Sequence, residues 1–140
     1  MAILALDIGE RRIGVAVSDP SDSFSLPLQT IDRTNLRTDL ATITALAGDY
    51  GATTIVVGDP LRLSGERGPA SERIDAFCVA LGRAFAGTIE RIDERLTTAQ
   101  VTRTLISADV SRAKRKRVVD QLAAAVILDS YLARRRNARP

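Results

Sequence analysis

The chain has 140 residues, 45% of them hydrophobic and 26% charged, with one Cys, no His and a formal net charge of +3. This is the composition of one soluble globular domain with its own core, residues 1–140. It excludes an internal disulfide and a zinc site built on His and Cys, and no apolar run reaches the roughly 20 residues of a membrane span.

Residues 2–9 are apolar on both parities, as in a central strand covered on both faces. They begin without a basic segment ahead of a signal-peptide core, and with the lone cysteine this predicts a reducing, cytoplasmic setting. Gly9-Glu10-Arg11-Arg12 is a polar break, and Ile13–Ser18 reads as the second strand of a hairpin. After a loop over 19–25, Leu26–Ile31 predicts a third strand that Pro27 restricts to an edge. The period then changes. Leu36, Leu40, Ile43, Ala47 and Tyr50 share one helical face, with Thr34 as the expected cap and Gly51 at the end. Thr53–Gly58 is a β-branched strand.

A polar loop over 59–68 leads to Pro69 at the start of a second helix. Its stripe is Ile74, Phe77, Cys78, Leu81 and Phe85, with Cys78 expected as a buried thiol and Gly87 as the stop. A strand over 88–94 follows, and Thr97–Gln100 has the spacing that opens a third helix. Ser111–Arg117 reads as a basic connector, 118–134 as the last helix, and 134–140 as a basic flexible tail. The order βββαβαβαα predicts an α/β fold: a mixed central sheet with helices on both faces.

Three acids stand out. Asp7 interrupts the apolar run Ile3–Ile8, Glu94 ends the strand-like segment Thr88–Glu94, and Asp120 shares a helical row with Ala124, Ile127 and Tyr131. Buried carboxylates are costly unless paired, and carboxylates brought together repel until a hard cation joins them. With no His, oxygen ligands and magnesium-type chemistry are the natural reading. Ordinary pairings compete with it: Asp7 with Arg11 or Arg12, Glu94 with Arg95 or Arg91, and Asp120 with the helix dipole. Open α/β sheets gather ligands at the carboxyl ends of their parallel strands, which is where Asp7 and Glu94 fall.

Charge is uneven along the chain. Residues 111–140 hold nine Lys/Arg and two acids, against eleven and fifteen in residues 1–110. A basic end on an acidic body points to a polyanionic partner, although a charge run is also what a solvated surface looks like. Arg11, Arg12 and Lys114-Arg115-Lys116-Arg117 are the candidate phosphate contacts. Aromatic content of 4% and the absence of Trp argue against base stacking as the main contact. A folded or duplex substrate held by its backbone fits better.

Four blocks resemble the YqgF/RuvX family: Asp7–Ala16, Val56–Leu61, Asp93–Thr98 and Val119–Leu128. They occur in family order and span most of the chain. The resemblance implies an RNase H-like fold and a divalent-metal nuclease, using Mg²⁺ or Mn²⁺, with an acidic triad at Asp7, Glu94 and Asp120. It implies action in 5′-end maturation of pre-16S rRNA, with Holliday junction resolution as the alternative. Arg95 falls in the third block, beside Glu94, and joins the candidate nucleic-acid contacts. Asp59 departs from the family, which usually carries an apolar residue there. The expected partners are an rRNA precursor or branched DNA, the assembling small ribosomal subunit, and a second copy by analogy with a two-fold junction. Two other classes remain: a non-catalytic RNA- or ribosome-binding factor, which needs no acid triad, and a kinase-like ATPase, which normally binds nucleotide between two such domains.

Overall fold

The computed structural model describes residues 2–19, 25–59, 69–93 and 112–137, with side chains described for 2–19, 25–59, 72–92 and 122–135. In it the apolar first segment is β1 (Ala2–Ile8), followed by β2 (Arg12–Ser18), β3 (Ser25–Asp32), α1 (Leu36–Tyr50), β4 (Ala52–Asp59), α2 (Pro69–Ala84), β5 (Thr88–Asp93) and α3 (Arg112–Asn137). The strands form one sheet in the order β3-β2-β1-β4-β5. β1, β2 and β3 make an antiparallel meander, while β4 and β5 run parallel to β1. The expected mixed sheet is therefore the one observed. The third helix expected after Thr97 lies outside the described residues.

Period-two alternation divides β1 between two cores. Leu4 and Leu6 are buried with Ile43 and Ala47 of α1 and Ile74, Phe77 and Leu81 of α2, and Ile8 packs against this cluster. Ile3 and Ala5 are buried on the other face with Ala124, Ile127, Leu128 and Leu132 of α3. Asp7, next in that second row, stands on the α3 side at the carboxyl end of the strand, opposite Gly14 of β2. A fully apolar central strand thus places its only charge where the sheet ends.

α1 begins differently from expectation. The cap is Asn35, whose Oδ1 accepts from Thr38 N–H at 2.9 Å, not Thr34. Thr34 instead donates its N–H and hydroxyl to Asp39, at 3.2 and 3.3 Å. Asp39 is only 2% exposed, while Leu36 and Tyr50, at the ends of the apolar row, are each 45% exposed. Gly51 ends the helix at φ 66, in the left-handed region that glycine adopts without strain. Gly87 does not cap α2, which ends at Ala84. It is needed for close approach: a Cβ there would lie 2.3 Å from the Thr53 carbonyl oxygen.

The basic run is not a connector. α3 starts at Arg112, so Lys114–Arg117 are helical. Lys and Arg are good helix formers, and neither Gly nor Pro separates residues 111 and 134 to break the helix. The same helix continues through Asn137, taking in residues 134–137 of the expected tail. Small residues let α3 lie close on the sheet: Ala123 and Ala124 are fully buried and Ala125 nearly so. Its register is pinned at β3, where Ser25 donates its hydroxyl to the Ala125 carbonyl at 2.8 Å and its N–H to Asp129 at 3.0 Å. At the far edge, the Tyr131 hydroxyl donates to Glu90 of β5. α3 therefore crosses the sheet from one edge toward the other. Among the described residues no helix is long and apolar enough to cross a membrane.

Replacing Ala124 with Leu should overpack this contact and cost about 1–3 kcal/mol. Urea unfolding measures it; an unchanged midpoint would mean that the helix does not depend on a small residue there.

Candidate functional site

The carboxyl ends of β1, β4 and β5 lie side by side. Leu6 pairs with Val57, and two residues further along β4 Asp59 pairs with Asp93. This edge carries Asp7, half-buried, and Asp59, 8% exposed. Of the three acids singled out in the sequence, Asp7 is the one whose side chain is described. Glu94 follows the last described residue of β5. Asp120 lies in α3, four residues before Ala124, with its side chain outside the described set. Among the described residues no three acids or other ligands form a metal-sized cluster. The donor chemistry at this edge, carboxylate oxygen with no imidazole, nonetheless fits a hard divalent cation.

The β1–β2 turn shapes one side of the edge. Gly9 N–H donates to the Arg12 carbonyl at 2.8 Å, and a Cβ on Gly9 would stand 2.9 Å from that oxygen, so the turn closes only on glycine. Glu10 and Arg11 are exposed at its tip and Arg12 is half-buried. The candidate contact Arg95 lies outside the described residues, and Lys114–Arg117 occupy the first turns of α3.

Arg33, which sequence reasoning missed, braces the turn. Its N–H donates to the Arg11 carbonyl at 2.9 Å, and its guanidinium donates to the Gly9 carbonyl at 2.9 Å. The guanidinium also lies 3.8 Å from the buried carboxylate of Asp39 and 5.7 Å from the centre of the Phe77 ring. Such a buried acid on a helix is invisible to apolar periodicity. The alternation of Asn35 with Asp39, one turn on, was the available signal.

Asp59 is accommodated by a second group that sequence reasoning missed. Arg91 of β5 lies 3.8 Å from Asp59 and forms an ion pair and hydrogen bond with Asp75 of α2. The bonds to Asp75 hold the Arg91 pKa above its ordinary value although burial works against the charge. Cys78, half-buried rather than fully buried, sits in the same group. Burial pushes its thiol pKa up, and Asp75 and Asp59 push the same way, while Arg91 pulls it down. At the other face, burial first and the Glu90 hydrogen bond second raise the Tyr131 pKa.

A meander of three antiparallel strands feeding a parallel pair, with helices on both faces and an acid at the end of the central strand, defines an RNase H-like architecture. Thermus thermophilus RuvC in complex with a Holliday junction superimposes with a TM-score of 0.58 at 14% identity, covering 100% of this chain and 99% of that one. The fowlpox virus resolvase bound to junction DNA gives 0.56 at 13% identity, covering 96% and 98%. Residues 1–134 match the family model RuvX, described as Holliday junction resolvase. A protein of Desulforudis audaxviator called "Putative pre-16S rRNA nuclease" is 42% identical over 139 residues, 99% of each chain. One of the same name from Clostridium perfringens is 44% identical over 134 residues, 96% of this chain and 98% of its own. The chain belongs to the RuvX family. That membership sets aside the kinase-like ATPase reading.

Arg91→Leu should leave Asp59 and Asp75 without their shared cation and lower stability by about 1–3 kcal/mol, the lower end reflecting partial exposure of the guanidinium. Chemical denaturation reads this. The thiolate is the form that reacts, so a raised pKa predicts slower alkylation of Cys78 by iodoacetamide than of a free thiol at about pH 8. Arg91→Leu removes the pull that lowers the pKa and should slow labelling further in the folded protein; faster labelling of folded protein would contradict the assigned sign.

Proposed function

We propose that the protein is a divalent-metal-dependent nuclease that cleaves structured nucleic acid, with Asp7, Glu94 and Asp120 as the metal-holding acids and 5′-end processing of pre-16S rRNA as its task. The observation that carries this reading is 42% identity over 139 residues to a relative called "Putative pre-16S rRNA nuclease", joined to a carboxylate at the carboxyl end of the central strand. Asp7, Glu94 and Asp120 would hold Mg²⁺ or Mn²⁺ there, and the chemistry so supplied would be activation of a water and neutralisation of charge on the leaving oxygen. Asp7 contributes a fixed oxygen donor, because β1 is paired on both sides and cannot shift alone. Glu94 follows the strand whose end Arg91 ties to Asp59 and Asp75, and Asp120 belongs to the helix that closes the same face. Arg11, Arg12, Arg95 and Lys114–Arg117 take phosphates on either side without reading sequence. Precision then comes from a partner such as the assembling small ribosomal subunit. Junction cleavage is the second reading, favoured by the family description and by the resolvase fold; a homodimer suits it.

Purified protein with Mn²⁺ should cut a 5′-extended rRNA fragment more readily than a four-way junction or matched linear controls. Symmetric cuts in the junction with the RNA intact would transfer the proposal to resolution, and no cleavage with any divalent metal would leave a non-catalytic binding factor. Asp7→Asn, Glu94→Gln and Asp120→Asn should each abolish cleavage while the protein stays folded. Two of the three retaining wild-type rates at saturating metal would sink the triad. Alanine at Lys114–Arg117 should weaken binding to unrelated sequences alike and flatten the salt dependence by about 0.7–0.9 log units per lost phosphate contact. An unchanged slope would make the run a solvated helix end.

A further inference from the structure

We infer that the cleft on the α1/α2 side of the β1 end receives one unpaired nucleobase of the bound nucleic acid, an inference that rests on the nuclease reading above. The cleft has a volume of about 460 Å³ and lies between the β1–β2 turn, the start of α1 and α2. That volume is within the range of about 300–1,000 Å³ that holds single small molecules, and a duplex cannot enter it. Ile8, Ile74 and Phe77 line it with apolar surface, and Leu36 stands at its edge, 45% exposed. An exposed leucine beside buried apolar groups leaves room for a flat, apolar occupant.

Arg33, Arg73 and the exposed Glu10 line the same cleft, so two cations and one carboxylate face its occupant. Arg33 is held by the Gly9 carbonyl, by Asp39 and over Phe77, so little freedom remains to be lost when a base stacks on its plane. Arg73 is free to meet the attached phosphate: its partner Glu10 is 3.7 Å away, and their side chains are 64% and 85% exposed, so a phosphate can displace that weak pair. One stacking position, rather than a platform of successive aromatics, also agrees with the low aromatic content.

The cleft and Asp7 belong to the same strand end. Ile8 lines the cleft, and Asp7, the residue before it, stands on the opposite face. A strand whose phosphate lies on the Asp7 side would reach the cleft over the β1–β2 turn, where Arg11 is exposed at the tip. An unpaired nucleotide next to the cut would then be selected at this position, whatever its base.

The test is binding by fluorescence anisotropy in EDTA, where cleavage cannot interfere. The probes are a plain duplex and the same duplex carrying a single-nucleotide bulge, each made as RNA and as DNA. Wild type should bind the bulged form about tenfold more tightly. Ala76→Trp, which fills the cleft from an exposed position on α2, and Leu36→Ala, which strips its edge, should each bring that ratio toward one. Leu36→Ala carries the test if the tryptophan variant fails to fold. Wild-type binding of both forms without preference, or a preference that survives in folded variants, overturns the cleft inference alone. No binding of either form in EDTA, nor with Ca²⁺ in its place, overturns the nuclease reading and the inference with it. A preference confined to RNA or to DNA identifies which nucleic acid the cleft serves.

Discussion

The structure depends on a central strand that has no free side. β1 is hydrogen-bonded to β2 on one edge and β4 on the other, and its side chains enter a core on each face. Water reaches such a strand only at its ends, so an acid within it is tolerable only there. Asp7 occupies the end where the parallel neighbours also stop. The same constraint that keeps Leu4, Ala5 and Leu6 apolar holds the Asp7 backbone in place, and such rigidity is what the proposed metal-holding role asks of it.

Each neighbouring element serves that end in a different way. The β1–β2 turn is tight because Gly9 lacks a side chain, and Arg33 fastens it to α1 and α2. Arg91 fastens the ends of β4 and β5 to α2 through Asp59 and Asp75. α3 approaches closely because its buried face is alanine-rich, and Ser25 fixes its register at the sheet edge. Each arginine ties neighbouring elements together: Arg33 the β1–β2 turn and α1, Arg91 the strands β4 and β5 and the helix α2.

The sheet was legible in the sequence because each strand announces itself locally: both-parity apolarity in β1, β-branching in β4, Pro27 at the edge in β3. Helix faces were legible in their middles, at Ile43 and Ala47, and misread at their ends, where Leu36 and Tyr50 meet solvent. A periodic pattern says which residues share a face, not how far the neighbouring element extends over it. The basic run over 114–117 was misread for a related reason: charge was taken as a sign of a loop, whereas Lys and Arg propagate helices well. Of the candidate site, Asp7 was legible because it breaks an apolar run. Asp39, Arg33 and the Asp59–Arg91–Asp75 group were not, since their partners come from other elements and register decides which charges meet.

The central claim is that Asp7 holds a divalent cation at the end of β1. Titration of the full chain with Mn²⁺, followed by the loss of the free-ion electron paramagnetic resonance signal, tests it without any assumption about substrate. The account predicts that wild type takes up Mn²⁺ and that Asp7→Asn, folded by circular dichroism, loses most of that uptake. Equal stoichiometry and affinity in the two proteins would contradict it.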